Sequence, residues 1–263
     1  MSNFEKASEV FDTTFNEKYY FDSLNSSYAK ATILKTINTG KTPLIFLLGE
    51  PGVGKTYMLH LVKKELKESK KILSSSEPFS TAESFLHFLL QEENVSKDLS
   101  LSELKDLAVS TFTDIDNLIM IDEAQLLNES VLEYIRVLSD SGVFYFLISM
   151  HKEEGELIVK KRHFASRNSH SVILGVLKTD EILKFIKSQL SEDELSDLNT
   201  LFSQKQAKQL AKFSKGNFRL IKQLLKHSFS IMDYASKAGH AKFTLPSKCV
   251  ITMAAIDIGI INA

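Results

Sequence analysis

Apolar residues follow two different rhythms along this chain. As far as about Leu177 they come in short apolar runs, "TPLIFLLG" (42–49), "NLIMID" (117–122) and "VFYFLIS" (143–149), each ended by a polar residue or glycine. Runs of that length read as strands buried on both faces, the habit of a parallel sheet. Between them apolar residues recur at helical spacing, as at Met58, Leu59, Leu61, Val62 and Leu66, and helices are also expected over "TAESFLHFLLQEE", "LSLSELKDLAVS" and Asn128–Leu138. "KKILSSSEPFS" and "SHSVILG" are expected as further short strands. "YAKATILKTINTG" reads as a helix closed by Gly40, and the rest of residues 1–42 is polar with scattered aromatics. Alternating strand and helix predict an α/β fold, an open parallel sheet covered by helices on both faces.

After Leu177 the runs stop and only the helical rhythm remains, at positions 182, 183, 185, 186 and 190 and again at 221, 224, 225, 229 and 232. "SEDE" (191–194) and "SQKQ" (203–206) each have the spacing of a helix-starting capping box. The expected division is an α/β domain with an N-terminal helical lead-in over 1–177 and a small all-α domain over 178–263. The apolar tail "CVITMAAIDIGIINA" reads as core or as a docking surface, and core is the expectation.

Composition narrows the picture. The 263 residues carry 43% hydrophobic side chains, enough for a full core, and a net charge of −1, so no global basic field points to nucleic acid or membrane. Cys249 is the single cysteine, which excludes an intramolecular disulfide; it reads as a small buried hydrophobe. His163 and His170 are the closest histidine pair, without companions at metal-ligand spacing, so no zinc site is expected. The N-terminus carries charges where a signal peptide needs an apolar stretch, and no run is long enough to span a membrane, so a cytoplasmic protein is expected.

The candidate chemistry sits at the ends of two of the apolar runs. After the first comes Gly49-Glu50-Pro51-Gly52-Val53-Gly54-Lys55-Thr56-Tyr57. Such a glycine-rich turn between strand and helix directs backbone N–H groups inward around a phosphate, and the helix beginning near Lys55 aims its positive end at the same anion. In that pattern the lysine reaches the β- and γ-phosphates of ATP and the Thr56 hydroxyl binds Mg²⁺. After the second run, Asp122 is placed to hold the magnesium shell and Glu123 to polarise water against the γ-phosphate. The two stretches together suit ATP hydrolysis. Ser149, ending the third run, is where a γ-phosphate sensor would be useful, or it is a buried serine bonded to backbone. Arg219 is placed one turn into a helix with Asn217 as N-cap, from where it can reach a nucleotide. Arg167, with Arg162 as competitor, suits an arginine finger offered to a neighbouring subunit.

In this order the motifs resemble those of AAA+ ATPases. More narrowly, "SLNSSYAKATILKTINTG" leading into "GEPGVGKTYML", then "IDEAQLL", "HFASRNSHSVILGVLKTDEILKFIKSQL", "GNFRLIKQLLKHSFSIMDYASKAG" and "AAIDIG" are similar to the secretion ATPase ExeA (GspA) family over roughly residues 15–260. The resemblance implies a P-loop sheet domain with a helical lid, and ATP and Mg²⁺ as cofactors. It carries over Lys55, Thr56, Asp122, Glu123, Arg219 and Arg167. It also implies nucleotide-dependent homo-oligomers that drive assembly of an envelope machine: type II secretion, type IV pilus or DNA uptake. Long members of that family continue into a membrane span and a peptidoglycan-binding domain that this sequence lacks, so a membrane-bound partner protein is expected. The alternative is a DNA-handling ATPase, such as a transposition helper or a replication-initiator relative, with Lys63–Lys64, Lys70–Lys71 and Lys160–His163 as its basic runs.

Overall fold

The computed structural model describes residues 2–14, 16–96, 98–161 and 168–262. It divides into two units: residues 26–51 with 55–174, and residues 1–25 with 52–54 and 175–263.

The first unit is built on a five-stranded sheet. Its strands are β1 (Leu44–Gly49), β2 (Lys71–Ser75), β3 (Asn117–Ile121), β4 (Phe146–His151) and β5 (Ser169–Ile173). They lie in the order β2-β3-β4-β1-β5, and every pairing is parallel. Every residue of β1 and β3 is buried, which is why these strands read as unbroken apolar runs rather than alternating ones. One face, with Phe46, Leu48, Ile119, Ile121 and Ile148, packs on helices α4 (Ala82–Leu89), α5 (Leu101–Phe112) and α6 (Glu129–Asp140) through Phe85, Leu104, Ala108, Phe112, Val131 and Ile135. The alternate residues Ile45, Leu47, Leu118, Met120 and Leu147 point to the other face and are equally buried. Helices α2 (Leu24–Thr39) and α3 (Lys55–Leu66) flank the sheet in sequence, and α3 packs against β1 and β4.

The polar pattern gave no sign of helix α7 (Lys152–Lys160), which follows β4 directly. A mid-helix glycine, Gly155, weakens any helical reading of this stretch. The packing explains it: a Cβ at Gly155 would lie 2.4 Å from Leu48 Cδ2 and 3.2 Å from Met150 Cβ. Only a glycine lets α7 approach β1 and β4 so closely.

The second unit is helical. Helices α8 (Thr179–Glu192), α9 (Gln204–Ser214), α10 (Phe218–Lys237) and α11 (Lys248–Asp257) are joined by α1 (Asn3–Val10), an element the polar N-terminal sequence did not reveal. Residues 1–25 thus pack with the C-terminal helices rather than forming a lead-in to the sheet. The reason is aromatic: Phe11, fully buried, stacks on Phe229 with ring centroids 5.7 Å apart and meets Phe185 edge-on at 5.8 Å. Outside this cluster Lys226 Nζ bonds Asp12 Oδ2 at 2.8 Å and holds that carboxyl down at about 2.

Three local expectations have clear outcomes. Ser203 and Gln206 form the expected capping box of α9. "SEDE" does not start a helix: α8 runs through Ser191 to Glu192, because the apolar rhythm that buries Ile186 and Leu190 carries the helix past it, and Glu194 then turns the chain with φ +58°. The tail does form core, with Val250, Ile251, Ala254 and Ala255 of α11 buried, but Cys249 is exposed. It falls on the opposite side of that helix, its Sγ 3.9 Å from Met253 Sδ.

Gly216 fixes the turn between α9 and α10. It has φ +78°, and an added Cβ would lie 2.3 Å from the Leu177 carbonyl oxygen and 3.1 Å from Val176 Cβ. Gly216→Ala is expected to cost about 2 kcal/mol or more, from backbone strain plus displacement of this turn. At this chain size that lowers the melting temperature by roughly 4–8 °C in a calorimetric scan.

Candidate active site

The two motifs meet at the carboxyl ends of β1, β3 and β4, where open parallel sheets bind ligands. Placing β1 between β4 and β5 sends the loop after Gly49 out at the same end of the sheet as Asp122 and Glu123.

Lys55 is 4% exposed, and its Nζ donates to the carbonyl oxygens of Gly49 at 3.0 Å and Glu50 at 3.3 Å. The ammonium is therefore held inside the curl of its own loop, at the first turn of α3. Gly52 and Gly54 adopt φ +80° and +102°, the conformations by which such a loop turns its N–H groups toward an anion. Gly52, Val53 and Gly54 cluster with the helical unit. Within that unit the Arg219 N–H donates to the Gly52 carbonyl at 3.0 Å. Asn217 caps α10 as expected, its side chain accepting from the Leu220 N–H at 3.2 Å, and the Arg219 side chain is exposed.

Asp122 is the hub. Thr56 Oγ1 donates to its Oδ2 at 2.5 Å. The Ser149 hydroxyl donates to Oδ1, and the Glu123 N–H reaches the same oxygen at 3.0 Å. Its own N–H is tied to the Ser75 carbonyl at 2.9 Å, which fixes the residue to the end of β2. Ser149 is fully buried and also accepts from the Glu123 N–H at 3.3 Å. Its hydroxyl is committed to Asp122 rather than turned outward toward a phosphate.

Glu123 has a left-handed backbone, φ 51° and ψ 38°. A β-region conformation there would continue the strand; the left-handed one turns the side chain out of it, at an energetic cost that the surrounding hydrogen bonds offset. Two residues that sequence reasoning missed hold its carboxylate. The Gln125 amide donates to Oε2, and His151 Nε2 lies 3.2 Å from the same oxygen. The His151 N–H closes the group by donating to Gln125 Oε1 at 3.2 Å. His151 lies opposite Gly49 in the register of β1 and β4. Gln125 was visible as the last letter of "DEAQ", but only the strand order brings His151 beside it. Arg162 and Arg167 lie outside the described residues.

This parallel sheet, with a phosphate-type loop after β1 and a paired carboxylate after β3, two strands away, has the architecture of an AAA+ P-loop fold. Residues 38–157 match the family model described as an AAA domain. A search of curated proteins finds no match. Among solved structures, the Holliday junction branch migration motor RuvB of Thermotoga maritima superposes with a TM-score of 0.60 at 16% identity, over 92% of this chain and 73% of that one. The Aeropyrum pernix ORC2 protein in its ADPNP–ADP complexes gives 0.59 at 13% identity, over 94% and 71%. Drosophila ORC bound to DNA gives 0.69 at 13% identity, over 98% of this chain but 66% of that one. At these identities the likeness is one of fold. No helix among the described residues is long and apolar enough to cross a membrane.

Proposed function

We propose that this protein binds Mg·ATP and hydrolyses its γ-phosphate. The observation that carries this reading is the hydrogen bond from the Thr56 hydroxyl to the Asp122 carboxylate, 2.5 Å long, which joins the phosphate loop to the carboxylate strand. Magnesium in such sites keeps most of its water and takes only one or two protein oxygens besides the phosphates. Thr56 Oγ1 and Asp122 Oδ2 already stand together as that pair, so the residues fit the ion. When bound, magnesium would neutralise charge on the phosphates.

The remaining work falls to the chain's own groups. Backbone N–H groups of 52–56 cradle the phosphates, and Lys55 exchanges its loop carbonyls for phosphate oxygens. Ser149 and the Glu123 N–H fix the orientation of Asp122. Glu123, oriented by Gln125 and His151, accepts a hydrogen bond from the attacking water. Arg219 contributes a cation toward the nucleotide from α10, and Arg167 completes the site of a neighbouring subunit in a homo-oligomer.

For the work coupled to hydrolysis, the resemblance to ExeA-like ATPases supports assembly of an envelope machine beside a membrane-bound partner. A second reading, DNA handling, is favoured by the neighbours in fold, a Holliday junction motor and an ORC bound to DNA. Phosphate release by the purified protein tests both levels. Magnesium-dependent turnover, rising per subunit with protein concentration, is the expected result. Failure to release phosphate at any concentration refutes the hydrolytic reading. Stimulation by duplex DNA selects the second role over the first.

A further inference from the structure

Between Asp197 and Asp233 the chain contains no acidic residue but seven lysines and arginines, at 205, 208, 212, 215, 219, 222 and 226. Their spacing alternates between three and four, the period of one helix face. The structure divides this series. Lys226 pairs with Asp12, and Lys222 is buried. The first three stay outside: on α9 the exposed residues are Gln204, Lys205, Lys208 and Lys212, followed by exposed Lys215. Among the described residues, none of these four lysines makes an ion pair or a hydrogen bond through its ammonium group; the Lys205 backbone N–H bonds the Ser203 hydroxyl. Asp12, Asp193, Glu5, Asp233 and Asp257 of the same unit are engaged with other basic side chains.

We propose that the outer face of α9, Lys205, Lys208, Lys212 and the adjoining Lys215, binds the phosphodiester backbone of duplex DNA. Lys205 to Lys212 covers roughly 10 Å of helix axis at 1.5 Å per residue. A DNA strand presents about one phosphate per 3.4 Å of duplex axis, so three lysines face about three phosphates. The inner face, with Ala207 and Leu210 buried, anchors the helix, so the lysines are presented on a rigid element. A membrane-surface helix needs exposed apolar side chains to insert, and the exposed set on α9 contains none. A single-stranded ligand would call for exposed aromatic rings, and Phe213 is turned toward the core. A protein partner would need an apolar or aromatic anchor on this face, also missing from that set. Contacts of this kind position DNA without reading its sequence.

This face deepens the DNA-handling reading, but its test needs no ATP turnover. Fluorescence anisotropy of a labelled random-sequence duplex, over a series of salt concentrations, is measured for the wild type and for Lys205→Gln/Lys208→Gln/Lys212→Gln. The triple variant is expected to flatten the slope of log K against log salt by about 2.7 and to weaken binding on the order of a hundredfold at low salt. It should leave phosphate release without DNA unchanged, since none of the three lies in the site at the sheet. A charge-matched control, Lys67→Gln/Lys105→Gln/Lys152→Gln, is expected to bind as the wild type does, and circular dichroism checks that both variants fold. Equal losses in both triples, no wild-type binding to duplex, or preferential binding to phosphatidylserine vesicles would each overturn the proposal. A wild type that binds DNA through this face yet never hydrolyses ATP would sink the hydrolytic reading and leave this one standing.

Discussion

Glu123→Gln is expected to lower kcat for ATP by on the order of 10²–10⁴, the range of positioned acid–base groups, with little change in KM. The substitution keeps the shape of the side chain and can keep one hydrogen bond to its neighbours, but it removes the charge proposed to orient a water for attack. The left-handed backbone at Glu123 and its N–H bonds to Asp122 and Ser149 do not depend on the carboxylate, so the variant should fold and bind nucleotide. Gln125→Ala gives an intermediate case. The carboxylate remains, but one of the two groups that aim it is gone, and a loss on the order of tenfold is expected from misplacement alone. Steady-state phosphate release reads both. A Glu123→Gln protein that turns over at the wild-type rate would mean that another group activates the water.

Lys55→Ala is expected to abolish nucleotide binding, and the effect is large enough to read as stability. A ligand at a hundredfold excess over its Kd stabilises the folded state by about 2.7 kcal/mol. For a chain of this size that corresponds to a rise of roughly 5–11 °C in melting temperature. The wild type should show this shift with Mg·ATP, and the variant should show almost none. The apo variant is the control, because Lys55 also satisfies the Gly49 and Glu50 carbonyls and its loss leaves them unpaired. A variant that still shifts by the full amount would place the nucleotide elsewhere on the protein.

Much of the candidate site was legible in the sequence because the chemistry proposed for it is local. A loop that cradles phosphate needs its glycines, lysine and threonine contiguous, and a strand that delivers a carboxylate pair needs an apolar run just before it. Gly49 to Thr56 and Asp122–Glu123 could therefore be read without the fold. The same holds for the strands buried on both faces, whose apolar runs admit few other readings, and for the capping box at Ser203.

What the sequence left open depends on which strand lies beside which. The order β2-β3-β4-β1-β5 seats Ser149 on Asp122 and His151 on Glu123, although each pair is separated by more than twenty residues. Helix α7 was not legible around Gly155, because what that glycine admits, close approach to Leu48, exists only in the packed sheet. The N-terminal helix looked like polar lead-in because its few apolar residues find their partners only across the chain, Phe11 on Phe185 and Phe229. The basic series from Lys205 to Lys226 was present in the sequence as spacing alone. Burial and Asp12 took two of its members, and only that division left the three lysines of α9 as an unneutralised face. Contiguous chemistry is written along the chain, whereas contacts made by chain reversal and shared burial are settled by packing.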